Sequence, residues 1–114
     1  MTAQVACLVG DLAPEAALRV ELSDANGRIV PVAVVRDADG DWHALSDICS
    51  HGEVSLSAGE VEGCRIECWA HGSQFDLRTG EPRRLPALKP VPVYQLTIED
   101  DRVLVDVDPV PLDL

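Results

Sequence analysis

Cys49-Ser50-His51, then sixteen residues, then Cys68-Trp69-Ala70-His71: this stretch decides how the chain is read. Each half carries one thiol and one imidazole so close together that only a tight loop can turn both toward one point. Two such loops face to face supply two sulfur and two nitrogen donors. That set suits a structural Zn2+ held tetrahedrally, or a [2Fe–2S] cluster with two Cys on one iron and two His on the other. Zinc modules commonly pair like with like, thiols in one half and imidazoles in the other. Here each half is mixed, as a two-iron site requires when each loop must reach both irons. The order therefore favours the cluster.

Two longer runs surround these donors: Ile48-Cys49-Ser50-His51-Gly52-Glu53-Val54-Ser55-Leu56-Ser57-Ala58-Gly59 and Ile66-Glu67-Cys68-Trp69-Ala70-His71-Gly72-Ser73-Gln74-Phe75-Asp76-Leu77-Arg78-Thr79-Gly80. Both resemble the soluble bacterial Rieske-type ferredoxins, small electron carriers that serve ring-hydroxylating dioxygenases. The likeness extends from about Val5 to Val107. Many relatives have proline where this chain has Trp69, a departure that leaves the donor positions untouched. Cys-Trp at this place also occurs in actinobacterial ferredoxins linked to iron–sulfur cluster assembly, which supplies a rival physiological role.

The resemblance implies an all-β fold: a Rieske-like antiparallel β-sandwich or barrel with an inserted cluster-binding subdomain. It implies one [2Fe–2S] cluster on Cys49, His51, Cys68 and His71, with a flavoprotein reductase and a terminal oxygenase as redox partners. High-potential relatives pin their ligand loops with a disulfide whose cysteines fall at Val54 and Ala70 here, so that staple is absent. The same relatives donate two hydroxyls to cluster sulfur; the matching positions are Ser73, which keeps a hydroxyl, and Phe75, which does not. Both differences point to the low-potential end of the Rieske range.

Composition agrees with one small domain. At 114 residues and 46% hydrophobic, the chain has a modest core, for which a metal cluster can act as an internal staple. Twenty acidic residues against nine basic give a formal net charge of −11. That balance disfavours nucleic acid and anionic membrane and favours a basic protein surface. Of the four cysteines two are assigned as ligands, and Cys7 and Cys64 lack the pairing of a secreted framework. The N-terminal residues lack the basic and apolar regions of a signal peptide, and no apolar run has membrane-spanning length. A reducing cytoplasm is expected.

Along the chain the hydrophobic period is two, the mark of half-buried strands. Gln4 to Val9 reads as a strand with Val5, Cys7 and Val9 inward, and Leu18 to Leu22 as one with Leu18, Val20 and Leu22 on one face. Asn26-Gly27 is a hairpin turn, both residues tolerating positive φ. Arg28 to Arg36 returns as its partner, and Asp39-Gly40 leads into Asp41 to Ser46, with Trp42 and Ala44 on one side. The cluster-binding subdomain spans about 47–90, on a base sheet from 4–46 and 91–107, in a single domain 1–114. Within it Val61–Cys64, Arg65–Glu67 and Ser73–Leu77 read as short strands. The proline-rich 82–92 is neither helix nor central strand, and by the resemblance folds over the cluster as a third loop. Val93–Ile98 and Arg102–Val107 close the sheet as a hairpin, and 108–114 is a tail.

Three readings of function follow. The chain is a one-electron carrier, or an enzyme (a Rieske oxygenase or the small subunit of an assimilatory nitrite reductase), or a zinc-bound interaction module. A Rieske oxygenase needs a further iron on two histidines and a carboxylate, and only His43 is left once His51 and His71 are spent. The chain has no Gly-rich nucleotide fingerprint either. His43 reads as structural, Cys7 as an inward hydrophobe and Cys64 as carrying no metal role. The electron carrier, with no catalytic residues of its own, is the reading adopted.

Overall fold

Val32-Ala33-Val34-Val35 is fully buried on both of its faces, and the two halves of the molecule meet across it. The computed structural model describes residues 3–48, 55–69, 72–84 and 90–107. The strands are β1 Gln4–Leu8, β2 Ala16–Ser23, β3 Ile29–Arg36, β4 Trp42–Ser46, β5 Glu60–Glu62, β6 Arg65–Glu67, β7 Gln74–Asp76, β8 Pro82–Arg84, β9 Val93–Glu99 and β10 Arg102–Asp106. They form a six-stranded sheet, β1-β10-β9-β4-β3-β2, and a four-stranded sheet, β5-β6-β7-β8. All neighbours are antiparallel.

The larger sheet curls until its two edges meet. The Gln4 side chain on β1 donates to the Ser23 carbonyl on β2 (2.7 Å) and accepts from the Ser23 amide (3.2 Å), so one amide group bridges the two edge strands. The result is a nearly closed antiparallel barrel, the all-β form expected. Its interior is lined by Cys7, Leu22, Val32, Val34, Ala44, Val103 and Val105. Because side chains alternate across a strand, Ala33 and Val35 emerge on the other face of β3. There they pack with Leu45 against Leu56, Ile66, Phe75, Leu77 and Val91 beneath the smaller sheet. An uninterrupted apolar run is the sequence mark of a strand covered on both sides.

Most hairpins fall where the turn residues place them, with three differences. Val5 is half exposed while Cys7 is buried. The β1–β10 register shifts between them, and this bulge puts one extra residue between two positions otherwise expected on the same face. At the first hairpin only Gly27 takes positive φ (79°), not Asn26. Asp24 organises that turn instead: its Oδ1 accepts from the amides of Asn26 and Arg28, both at 2.9 Å. Cys64 lies in the turn between β5 and β6 rather than in a strand. Pro82 starts β8 at the edge of the small sheet, the position a residue without an N–H tolerates. The proposed third loop is described only at its margins, and residues 85–89 and the tail 108–114 lie outside the described residues.

Candidate metal centre

Of the four donors assigned from the sequence, Cys68 is described; Cys49, His51 and His71 lie outside the described residues. Cys68 follows β6 directly and is wholly buried among Ile66, Leu56 and Phe75. Its amide donates to the Ser73 carbonyl (2.6 Å), and its carbonyl accepts from the Gly72 amide (2.9 Å). The second donor loop is thus pinched shut at its base, with only four residues between Cys68 and Ser73 to make the turn. Beside it Trp69 is 59% exposed, an apolar ring on the rim of the loop.

The first donor loop is closed in a similar way by residues that sequence reading missed. Ile48 bridges Ser55 across the segment that holds Cys49 and His51. Asp47, fully buried, serves both ends of that segment. Its carbonyl accepts from the Leu56 amide (2.7 Å), and its Oδ1 from the Ser57 amide (2.7 Å). Its Oδ2 accepts from the Ser55 hydroxyl and from Arg19 Nη1 on β2 (2.6 Å). The hydrogen bonds to Asp47 and Glu21 hold Arg19 more firmly protonated than usual. A buried carboxylate is costly unless charge and hydrogen bonds meet it, and here both do. The available signal was an acidic residue two positions before Cys49, with Ser55 and Ser57 beyond the loop.

The two loops spring from adjacent ground. After Ser55 the chain makes a single 3-10 turn, Leu56–Ala58, and reaches Gly59. A Cβ on Gly59 would lie 1.7 Å from the Glu67 carbonyl oxygen, one residue before Cys68. Only glycine lets the end of the first loop lie so close to the start of the second. Gly80 makes the matching contact on the other side. A Cβ there would lie 2.1 Å from the Val91 oxygen, and the Val91 amide donates to the Gly80 carbonyl (2.9 Å). The proline-rich segment therefore leaves and rejoins the same small sheet.

These surroundings suit a cluster held by mixed loops. A buried thiol stands at the mouth of the second donor loop, and the first is closed beside it by Asp47 and by the close approach of Gly59 to Glu67, without a disulfide among the described residues. The Rieske [2Fe–2S] domain pattern matches residues 2–95. The chain belongs to the Rieske [2Fe–2S] domain family.

Within this Rieske family the chain is 36% identical over 107 residues to the p-cumate 2,3-dioxygenase system ferredoxin component of Pseudomonas putida, covering 93% of this chain and 86% of that one. It is 37% identical over 102 residues to the biphenyl 2,3-dioxygenase ferredoxin component of Rhodococcus jostii, covering 90% of each. Among solved structures it matches the ferredoxin in a complex of reduced oxygenase and oxidised ferredoxin of carbazole 1,9a-dioxygenase. The TM-score is 0.80 at 34% identity, over 90% of this chain and 99% of that one. The cofactor of this Rieske domain is a [2Fe–2S] cluster, which supplies reversible storage of one electron. The chain is an electron carrier of ferredoxin type, a component of a redox system rather than an enzyme by itself. No helix among the described residues is long and apolar enough to cross a membrane.

The remaining cysteines are placed apart from this site. Cys7 faces the barrel interior, where burial and then Asp11 push its thiol up, as expected of an inward hydrophobe. Cys64 is partly buried at the far end of the β5–β6 hairpin. Phe75 is fully buried in the same apolar group as Cys68. Ser73 is buried beside it in sequence, its backbone bonded to Cys68.

Proposed function

We propose that the chain is a diffusible cytoplasmic ferredoxin. It takes one electron from a flavoprotein reductase and delivers it to a terminal acceptor such as a ring-hydroxylating non-haem iron dioxygenase. Cys49 and Cys68 hold one iron and His51 and His71 the other, within a unit of about 47–90 on the base 4–46 and 91–107. The observation that carries this reading is the construction of the two donor loops. Each is closed at its base by short hydrogen bonds, and Gly59 lets the two bases touch. The relatives named above, dioxygenase ferredoxin components and a ferredoxin bound to its oxygenase, support the choice of acceptor.

The chain's own residues contribute position and shielding. Asp47 and the Cys68–Ser73 pair hold the loop bases, while Leu56, Ile66 and Phe75 keep water from the Cys68 side. Exposed Trp69 and Ile48 lie next to the donors in sequence and offer apolar surface to a partner. The charge of −11 adds long-range steering toward a basic surface.

The test is anaerobic reduction by a flavoprotein ferredoxin reductase and NADH, followed by electron delivery to a Rieske oxygenase. The reduced protein should show the low-average-g electron paramagnetic resonance signal of a mixed-ligand cluster. Cys49→Ser, His51→Gln, Cys68→Ser and His71→Gln should each abolish it, and Cys7→Ser should not. The transfer rate should fall as salt rises. A colourless wild-type protein with zinc bound would refute the cluster; a red protein that no flavoprotein reduces would refute the carrier role.

A further inference from the structure

Away from the donor loops, three metal-ligating side chains from separate segments converge. Asp37 follows β3, His43 is on β4, and Cys64 is in the β5–β6 turn. His43 Nε2 lies 2.8 Å from Asp37 Oδ2 and 3.9 Å from Cys64 Sγ, and all three donor atoms fall within 4.8 Å of one another. β4 runs from His43 toward Asp47 and the first donor loop, and the β5–β6 hairpin runs from its turn back toward Gly59 and Cys68. This trio is therefore at the opposite end of both elements from the candidate cluster.

We propose that Asp37, His43 and Cys64 form a second metal site, for a divalent ion of the zinc class, with water as the fourth ligand. Tetrahedral Zn2+ holds oxygen and nitrogen at about 2.0 Å and thiolate sulfur at about 2.3 Å, which sets the donors about 3.3–3.6 Å apart. The His43–Asp37 and His43–Cys64 separations, 2.8 and 3.9 Å, bracket that range, and a change of about half an ångström in each of these two reaches it. The donor types choose the ion: one sulfur, one imidazole and one carboxylate suit a borderline cation and not calcium or magnesium. With Asp37 and Cys64 both ionised the site is neutral, which suits a carboxylate that is 1% exposed.

Asp37 is already aimed for this use. Its Oδ1 is occupied by the amides of Asp39 (2.9 Å) and Asp41 (3.0 Å), which fix the carboxylate and leave Oδ2 to the His43 ring. Without metal the His43 ring and the carboxylate share a hydrogen bond, and burial pushes the Cys64 thiol up, which favours the protonated sulfur. Binding places the imidazole proton on Nδ1, releases the thiol proton to solvent, and sets Zn2+ between the three donors.

The site would act as a staple. Asp37 and His43 belong to the barrel and Cys64 to the small sheet, and the two turns are joined by a backbone bond from the Ala38 amide to the Gly63 carbonyl (3.1 Å). A small domain without a disulfide among its described residues gains from such a clamp.

The test uses the untagged, cluster-loaded protein, freed of loose metal by a chelator and titrated with Zn2+. Calorimetry should find one site while the visible spectrum and iron content stay constant. Zinc-edge X-ray absorption should show one sulfur neighbour at about 2.3 Å and the rest nitrogen or oxygen. Cys64→Ser and His43→Gln should each weaken binding at least about tenfold, and Cys64→Ser should remove the sulfur signal. Three results would overturn the proposal: no zinc bound by the wild type, two sulfurs per zinc with loss of iron, or unchanged affinity in both variants. The absorption result on the wild-type protein stands even if a variant folds poorly.

Discussion

Asp47→Asn is the most informative single change, because it keeps size and shape and alters only what the buried group can accept. Two donors, Arg19 Nη1 and the Ser55 hydroxyl, face Oδ2, and a third, the Ser57 amide, faces Oδ1. An asparagine can present its oxygen to one side only. With the oxygen toward Arg19, its NH2 meets the Ser57 N–H; flipped, its NH2 meets the guanidinium. Either way one buried donor faces another and the charge-assisted bond is weakened or lost. A hydrogen bond to a charged group is worth about 1.5–3 kcal/mol net, and an unsatisfied buried group costs about 1–3 kcal/mol. Arg19 is 41% exposed and keeps Glu21 at 3.1 Å, so solvent offsets part of the first loss. The expected total is about 3 kcal/mol, near the low end for breaking a buried pair. For a domain of this size that corresponds to a fall in apparent melting temperature of about 12 °C or more. Because Asp47 closes the loop that carries Cys49 and His51, iron retained per protein should fall as well. Differential scanning fluorimetry at one scan rate, with iron analysis, measures both. An apparent melting temperature within about 2 °C of wild type, with full iron, would refute the role given to Asp47.

Gly59→Ala drives a methyl group into the Glu67 carbonyl and should cost about 3 kcal/mol or more, with loss of colour on purification; a red protein of ordinary stability would show that the loop bases can separate. Acid stability should depend on Asp76: burial alone would raise its carboxyl, but the Arg78 amide, the Arg83 guanidinium and the Thr79 amide outweigh burial and hold it low. A lowered folded pKa contributes stability that is complete above the unfolded value of about 3.9 and is lost as pH falls through the folded one. Asp76→Asn should therefore flatten the acid limb of a circular-dichroism stability curve below about pH 4, and parallel limbs would contradict the assignment. Phe75→Tyr adds a hydroxyl in the apolar group that contains Cys68. A bond from that hydroxyl worth about 1 kcal/mol more in the reduced state corresponds to a rise of about 40 mV for one electron. Protein-film voltammetry showing an unchanged potential in fully loaded protein would mean that the hydroxyl does not reach sulfur.

The chain's local patterns determined a good deal without any coordinates. The period-two runs with their Gly and Asp punctuation place the strands, and the mixed Cys/His halves point by spacing to a two-plus-two donor set. These features depend on residues within one turn or one strand of each other, where sequence distance and spatial distance nearly coincide. Tertiary structure decided what depends on contacts between distant segments. That Val32 and Val34 line the barrel while Ala33 and Val35 lie under the small sheet follows from a second layer that β3 itself does not encode. Alternation puts Val5 inward, but a bulge against β10, a strand almost a hundred residues away, turns it out. The role of Asp47 depends on Arg19, 28 positions earlier, and on Ser57, ten positions later, closing on its carboxylate. His43 and Cys64, 21 positions apart, carried no ligand spacing at all. Burial and three-body convergence are properties of the packed chain: the free energy of a buried carboxylate or a trio of donors is set by partners that only folding brings near.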